Sequence, residues 1–363
     1  MLNGSATISR PVRAAVAGRR RVDGLSDRRD VLMGNPQVRR VGCETVAVSI
    51  VPDGHVVAGG RRVEYCLYNR GARRRALFQY GTPGTRWLSP QLIDATRSAG
   101  FELLVIDRPG YGRTSRWPGR RIVDVVDDVR TVLQSVGWER LAVWGGSGGA
   151  PHALAIAARL PDQVTACASV AGLAPYDAAG LDWYAGMSAG NVEEFQAAAQ
   201  GEPAYRPLVE RLAADAMASL QAGGIQVAGD YQLPETDRRA LAARHQEEGY
   251  LERMRLTYRD GVDGWLEDCL ALTRPWGFGL AEITTPASVW YGAADVLASR
   301  AHHDYLLSRI PGAQRRELRG GHVLSRGDLL AIYDWLAHPS RCPQHLRHAR
   351  IPLRTLDERY PPL

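Results

Sequence analysis

A serine flanked by glycines stands where an apolar run gives way to a helix-forming stretch. Residues 141–144 are apolar, and residues 145–149 read Gly-Gly-Ser-Gly-Gly. A sharp turn from a strand into a helix exposes the central hydroxyl, and the outer glycines let the two elements pass without Cβ clashes. The pattern therefore predicts that Ser147 is a nucleophile. Flexible linkers and phosphate loops use similar glycines, but the flanking elements disfavour a linker and the absence of lysine disfavours a phosphate loop.

A serine nucleophile needs a base, and His322 is the candidate among nine histidines. It follows an apolar run near the chain end, in the glycine-rich stretch 319–324. A buried structural histidine is the alternative, but Gly-Gly-His after a strand favours a loop tip. We expect five of the others to be solvated or to cap helices: His302, His303, His338, His345 and His348.

Asp295 follows the preceding apolar run, residues 287–291, and is the candidate acid. A nucleophile, acid and histidine in this chain order match a known arrangement of the serine triad. Asp295 would accept a hydrogen bond from one ring nitrogen of His322, so that the other nitrogen takes the serine proton. The alternative is that Asp295 caps the following helix, in which case Asp177 is the second candidate acid. 

Acyl transfer also requires donors for the oxyanion. The backbone N–H of Gly148, directly after the nucleophile, is one candidate. The second is the backbone N–H of Thr82, in the loop 80–84 that reads Tyr-Gly-Thr-Pro-Gly. Together these residues predict an oxyanion hole beside Ser147.

The elements that must position these residues alternate between short apolar runs and helical patterns. Such alternation predicts an α/β fold with a mostly parallel central sheet and helices on both faces. An antiparallel hairpin is expected to precede it, with strands 45–51 and 61–68 around a turn at 52–54. The predicted strands are 76–80, 102–107, 140–144, 164–170, 287–291 and 314–318, and the predicted helices are 90–98, 122–136, one from 148, 299–309 and 326–336.

The alternation stops between residues 172 and 283, which we interpret as an inserted helical cap. Helical patterns occur at 192–199, 208–221 and 238–255. The insertion is rich in aromatic residues and methionine, and we expect some of them to line an apolar pocket above Ser147. Trp183 and Met187 are the named substrate-binding candidates.

The net charge of +6 is confined to the first 40 residues, which hold nine arginines and three aspartates. We expect residues 1–40 to be a basic, disordered leader, either a transit-like segment or a start codon placed upstream of Met33. The core is then 41–171 and 284–337, and the tail is 338–363. No long apolar run or secretory signal occurs, so a cytoplasmic protein without a membrane span is expected.

The composition excludes several function classes. The chain has no lysine, which removes Schiff-base and Ser-Lys chemistry, and its five cysteines lack the spacing of a zinc site. No cofactor or metal is predicted, and nothing resembles a nucleic-acid surface. The expected partner is a small-molecule substrate, and the oligomeric state stays open.

Residues 61–337 resemble the alpha/beta-hydrolase family. The resemblance is carried by residues 81–84 (Gly-Thr-Pro-Gly), residues 107–112 (Asp-Arg-Pro-Gly-Tyr-Gly), the Ser147 turn and the Asp295 and His322 loops. It implies a cofactor-free serine hydrolase that cleaves a carboxylic ester with an apolar portion through an acyl-enzyme. Relatives that open epoxides or remove halogens use an aspartate nucleophile, which Ser147 disfavours. A peptidase similar to proline iminopeptidases, a lyase with the same triad, and a non-enzymatic binder remain as alternatives.

Two positions depart from the family pattern. Tyr80 replaces the histidine that many relatives carry before the oxyanion loop, and its phenol is expected to support the loop instead. Gly146 and Gly148 replace bulkier residues, which predicts a roomier nucleophile site. In residues 107–112, Arg108 is expected to pair with nearby carboxylates or carbonyls rather than to take part in catalysis.

Overall fold

The computed structural model describes residues 53–223 and 231–339. Within them, eight strands form one sheet in the order β1-β2-β4-β3-β5-β6-β7-β8. Strands β3 to β8 are parallel, and β1 and β2 form an antiparallel edge. The strands are β1 Gly54–Ala58, β2 Arg61–Tyr68, β3 Arg74–Gln79, β4 Phe101–Ile106, β5 Leu141–Gly146, β6 Val164–Val170, β7 Ala287–Gly292 and β8 Gln314–Leu318. The predicted α/β fold is confirmed.

Helices cover both faces of the sheet because the central strands are apolar on both sides. In β3, Leu77 packs into one core together with Val129 of α2, whereas Phe78 packs into the other together with Ile332 of α10. The α-helices of the described residues are α1 Pro90–Ser98, α2 Val125–Val136, α3 Ala150–Arg159, α4 Ala189–Ala199, α5 Glu202–Gln221, α6 Glu235–His245, α7 Tyr250–Tyr258, α8 Asp263–Leu272, α9 Arg300–Arg309 and α10 Arg326–Ala337.

The hairpin turn differs from its prediction. Residue Gly54 is paired with Tyr65 as the first residue of β1, and the strands reverse at Gly59 and Gly60. Both glycines have positive φ, at 52° and 77°, which suits a tight hairpin between antiparallel strands. The turn predicted at 52–54 is therefore wrong, and the strand predicted at 45–51 lies outside the described residues.

Helices α4 to α8 follow β6 and precede β7, within the segment predicted as a cap. The single helix predicted over 238–255 is wrong, because α6 ends at His245 and α7 starts at Tyr250 after Gly249 at φ 71°. Helix α8 was not predicted. Every residue from Gly264 to Leu272 is buried, so this helix has no polar face that would reveal its period.

The predicted leader lies outside the described residues, as does the tail beyond residue 339. Three cysteines, Cys66, Cys167 and Cys269, are free and buried. In the part of the chain that the structure describes, no helix combines the length and apolar character needed to cross a membrane.

Candidate active site

The turn that carries Ser147 is tightly packed and conformationally unusual. Ser147 follows β5 and has φ 52°, a left-handed conformation that costs free energy for a residue with a side chain. Residues Ser147–Gly149 form a 3₁₀ turn that leads directly into α3, with Pro151 in the first helical turn as predicted. A Cβ on Gly145 would lie only 2.6 Å from the carbonyl carbon of Gly149, so the close passage of strand and helix requires glycine.

His322 and Asp295 lie in contact. The Nδ1 atom of His322 is 2.9 Å from Oδ2 of Asp295, and the two side chains are 13% and 0% exposed. The other Asp295 oxygen accepts hydrogen bonds from the backbone N–H groups of Leu297 and Ala298, at 2.8 and 2.9 Å. The carboxylate is therefore fixed at three points. It assigns the ring proton to Nδ1 of His322 and leaves Nε2 as an acceptor.

The contact between His322 and Asp295 shifts the pKa of both side chains. Burial alone would lower the pKa of His322, but the charge and hydrogen bond of Asp295 outweigh it, and the pKa is raised above its usual value. Asp237 also raises the pKa of His322, whereas Arg244 opposes the rise. Burial would raise the pKa of Asp295, but His322 and the two backbone donors hold it below its usual range.

The two predicted oxyanion donors are neighbours. A Cβ on Gly148 would lie 3.4 Å from the backbone nitrogen of Thr82, and one on Gly81 would lie 3.3 Å from Cβ of Ser147. Gly148 thus permits close contact with Thr82, whereas a Cβ on Gly146 would meet no atom within 4 Å. The predicted extra space around the nucleophile is present beside Gly146 but not beside Gly148, where Thr82 lies in contact.

Arg108 is buried beneath the predicted oxyanion loop, residues 80–84, and hydrogen-bonds to its backbone. It donates to the carbonyls of Tyr80 and Gly81 at 2.7 and 3.1 Å, and to Asp268 of α8 at 2.5 and 3.0 Å. The prediction that Arg108 pairs with carboxylates or carbonyls is confirmed. The Tyr80 phenol accepts from the backbone N–H of Arg108 at 2.9 Å, which ties the two loops together.

Asp268 is a fully buried hub for this network. It accepts from the Thr82 hydroxyl at 2.7 Å and from the Tyr111 phenol at 3.1 Å, and it pairs with both Arg108 and Arg120. Burial alone would raise the pKa of Asp268, but the two guanidinium groups lower it well below its usual range. One carboxylate facing two guanidinium groups leaves one positive charge beneath the predicted oxyanion loop.

The network also reaches the Ser147 turn. Arg120 lies 3.1 Å from Nε2 of His152, whose Nδ1 lies 2.9 Å from the carbonyl of Gly148. Because the carbonyl accepts and the guanidinium donates, the proton of His152 is on Nδ1. Burial and the two arginines lower the pKa of His152 well below its usual value, so this histidine is neutral.

The loop of His322 is held by a second buried carboxylate, Asp237 on α6. Its oxygens accept hydrogen bonds from the backbone N–H groups of His322 and Val323, at 2.8 and 3.1 Å. Helices α6 and α8, which lie between β6 and β7 in the chain, therefore each supply a carboxylate to a loop of the site. Neither aspartate was predicted, since an aspartate on a helix usually faces solvent.

Ser147, His322, Thr82 and Gly148 all line one cavity of about 440 Å³. Several residues of the inserted helices complete its wall: Glu194, Phe195, Arg244, Met254, Tyr258 and Trp265. Neither Trp183 nor Met187 lines it, so the structure does not bring these two predicted substrate-binding residues to the site. Trp183 is buried against Phe195 and His302, and its indole donates to the Ala174 carbonyl.

Two of the other histidine predictions are wrong. His302 and His303 are fully buried rather than solvated, and neither caps a helix: α9 has no side-chain cap, and the ring nitrogens of His303 have no hydrogen-bond partner among the described residues. His302 accepts from the backbone N–H of Ala174 at 3.0 Å and donates to the Trp183 carbonyl at 2.9 Å, so it links α9 to the chain after β6.

Asp177, the second candidate acid, is exposed. Among the described residues, no cluster of three or more potential metal ligands occurs.

Sequence comparison agrees with this architecture. The profile of the alpha/beta hydrolase fold matches residues 77–325, which include Ser147, Asp295 and His322. The chain therefore belongs to the alpha/beta hydrolase family.

The similarity to individual proteins is either confined to a short segment or low in sequence identity. Epoxide hydrolase B of Mycobacterium tuberculosis is 37% identical over 97 residues, and the alignment covers 26% of this chain and 26% of that protein. An enol-lactonase from Burkholderia xenovorans has a TM-score of 0.57 at 18% identity, covering 78% of this chain and all of the other. A thermophilic esterase from Thermogutta terrifontis has a TM-score of 0.55 at 17% identity, covering 79% and 99%. These structural similarities establish the fold.

Proposed function

We propose that this chain is a serine hydrolase that cleaves a carboxylic ester with an apolar portion. The observation that carries the proposal is the 2.9 Å contact between His322 and Asp295, on the cavity that Ser147 also lines. In the first step, Nε2 of His322 takes the proton of Ser147 as its oxygen attacks the ester carbonyl. The tetrahedral intermediate then expels the alcohol, which takes that proton from His322.

The second half of the reaction uses the same residues. His322 removes a proton from water, the hydroxide attacks the acyl-enzyme, and Ser147 leaves with the proton returned by His322. In both halves the negative oxygen lies against the backbone N–H groups of Gly148 and Thr82. Each such donor contributes about 3 kcal/mol to the stabilisation of the transition state. The positive charge of the Arg108, Arg120 and Asp268 network favours negative charge at the same place.

A serine at position 147 argues against epoxide hydrolysis, despite the partial similarity to an epoxide hydrolase. A serine oxygen that opened an epoxide would form an ether, which has no carbonyl for water to attack. Turnover through a covalent intermediate would stop there, whereas an ester of an acid with Ser147 is readily hydrolysed. The residue type therefore favours acyl compounds over epoxides. Amides remain the second candidate, because the same donors and base serve an amine leaving group.

A substrate panel tests the proposal. We expect the wild-type protein to hydrolyse nitrophenyl esters with an initial burst of nitrophenol, and Ser147→Ala to retain only residual catalysis, about 10³ to 10⁴ over water. Amino-acid amides, cyanohydrins and epoxides in the same panel separate the peptidase, lyase and epoxide alternatives. Turnover of esters that is equal in wild type and Ser147→Ala would contradict the proposal.

A further inference from the structure

Glu194 is a buried carboxylate on the wall of the proposed substrate cavity. It lies on α4, is 5% exposed, and lines the cavity that holds Ser147 and His322. The ester hydrolysis proposed above makes no use of it. A carboxylate in this position either is required for folding alone or recognises part of the substrate.

Within the described residues, all the hydrogen-bond partners of Glu194 are neutral. Oε1 accepts from the Tyr205 phenol and the Trp265 indole, both at 2.6 Å, and contacts the Cys269 thiol at 3.4 Å. Oε2 accepts from the Tyr231 phenol at 2.7 Å. The phenols donate here and an indole nitrogen can only donate, so both carboxylate oxygens of Glu194 act as acceptors. None of these donors carries a positive charge.

Other buried carboxylates of the described residues have different partners. Five face an arginine, namely Glu64, Asp107, Asp128, Glu267 and Asp268. Asp295 faces His322, whereas Asp237 and Asp328 accept from backbone N–H groups. Within the residues described, no arginine or histidine pairs with Glu194. Because Glu194 lines the cavity, a missing positive charge can arrive with a ligand.

Aromatic rings surround the same region. Trp265, Tyr258, Tyr231 and Phe195 all line the cavity, and the rings of Tyr258 and Trp265 lie 6.1 Å apart. Aromatic faces attract organic cations, most strongly where water is excluded. A carboxylate among aromatic rings is the combination that suits an ammonium or quaternary ammonium group.

Arg244 supplies the one guanidinium group among the residues lining the cavity that the structure describes. It donates to the Leu324 carbonyl at 2.9 Å, two residues from His322. A cationic group is therefore repelled from the His322 side and attracted toward Glu194. This polarity orients a substrate with a reactive ester at one end and a positive nitrogen at the other.

Building on the proposed hydrolase activity, we propose that Glu194 binds a positively charged nitrogen, so that the substrate is an ester with an ammonium or quaternary ammonium group. Glu194 would hold the substrate by charge while the aromatic rings cover the substituents of the nitrogen. The cavity volume of about 440 Å³ lies in the range of small-molecule sites.

Matched substrates test this proposal. Nitrophenyl esters whose acyl chains end in trimethylammonium are compared with esters of equal length that end in tert-butyl, which has the same shape without charge. Over a series of chain lengths, we expect a best-fitting cationic ester to exceed its neutral counterpart in kcat/KM by about tenfold or more. In Glu194→Gln the ratio should fall close to one. The control Glu193→Gln removes an exposed neighbouring charge and should keep the wild-type ratio.

Binding provides a readout that does not depend on turnover. Calorimetric titration of Ser147→Ala with choline should show binding that its neutral isostere 3,3-dimethylbutanol lacks, and the added Glu194→Gln change should abolish it. Ammonium binding by Ser147→Ala together with a wild-type protein that hydrolyses no ester would refute the hydrolase proposal and keep the cation site. A wild-type protein that hydrolyses both esters equally and binds no ammonium would overturn the cation site, whether or not Glu194→Gln folds.

Discussion

The hydroxyl of Thr82 donates a 2.7 Å hydrogen bond to Asp268, which lies 186 residues further along the chain. This contact joins the predicted oxyanion loop to α8 of the inserted segment. Together with the Asp237 contact to the His322 loop, it means that the inserted helices hold both sides of the candidate site. We therefore expect mutations that disturb the packing of α6 or α8 to change the geometry of the candidate site as well.

Asp268→Asn tests the hub directly. Because Asp268 neutralises two buried guanidinium groups, removing its charge should lower the free energy of unfolding by about 3–5 kcal/mol. In the folded fraction kcat should fall more than KM changes, since the Thr82 loop loses its support. Chemical denaturation and ester kinetics measure the two effects. The control Glu267→Gln removes the neighbouring buried carboxylate, which pairs with Arg116 instead, and should leave kcat nearly unchanged. An Asp268→Asn protein with wild-type stability and kcat would refute the role of the hub.

Thr82→Ala separates the side chain from the backbone. The hydroxyl proton already points to Asp268, so the oxyanion donor is expected to be the backbone N–H, which alanine keeps. Turnover should stay within about tenfold of wild type, because only the hydroxyl's hydrogen bonds to Asp268 and from Arg108 are lost. Thr82→Ser, which retains the hydroxyl, should restore the rate. A loss of about 10²-fold or more in Thr82→Ala would instead identify the hydroxyl as the donor.

The pH dependence of kcat/KM reports the protonation of His322. The base must be neutral, so activity should rise with pH as His322 loses its proton. Because Asp295 raises the pKa of His322, the midpoint should lie above the ordinary value of about 6.5. Asp295→Asn should lower both the midpoint and, by about 10⁴-fold, kcat. A profile that is flat between pH 5 and 9 would exclude His322 as the base.

Asp237→Asn tests the loop that carries His322. An asparagine offers one oxygen where Asp237 uses two, so one of the backbone N–H groups of His322 and Val323 loses its acceptor. We expect kcat to fall and the midpoint of the pH profile to shift downward, because the charge of Asp237 raises the pKa of His322. A purely structural role would lower stability without moving the midpoint.

Much of the fold could be predicted because the central strands are continuous apolar runs. Strands β6 and β8 begin and end at the predicted residues. The Gly-Gly-Ser-Gly-Gly turn also has a local steric cause, which the left-handed φ of Ser147 illustrates. Such features depend on neighbours in the sequence and so leave a pattern in it.

The features that could not be predicted depend on distant partners. Helix α8 is buried on all sides, so it lacks the alternating pattern of a surface helix, and Asp268 looks like an ordinary polar residue. The role of Asp268 becomes apparent only in the folded structure, where Arg108 and Arg120 pair with it.

The most direct test of the account is covalent labelling with a fluorophosphonate, followed by peptide mass spectrometry. We expect one probe per chain, on Ser147, with labelling that slows when His322 is replaced by alanine and disappears in Ser147→Ala. Ser169, a buried serine at the end of β6, serves as the internal control and should remain unmodified. Labelling at another residue, or undiminished labelling of Ser147→Ala, would contradict the assignment of Ser147 as the nucleophile.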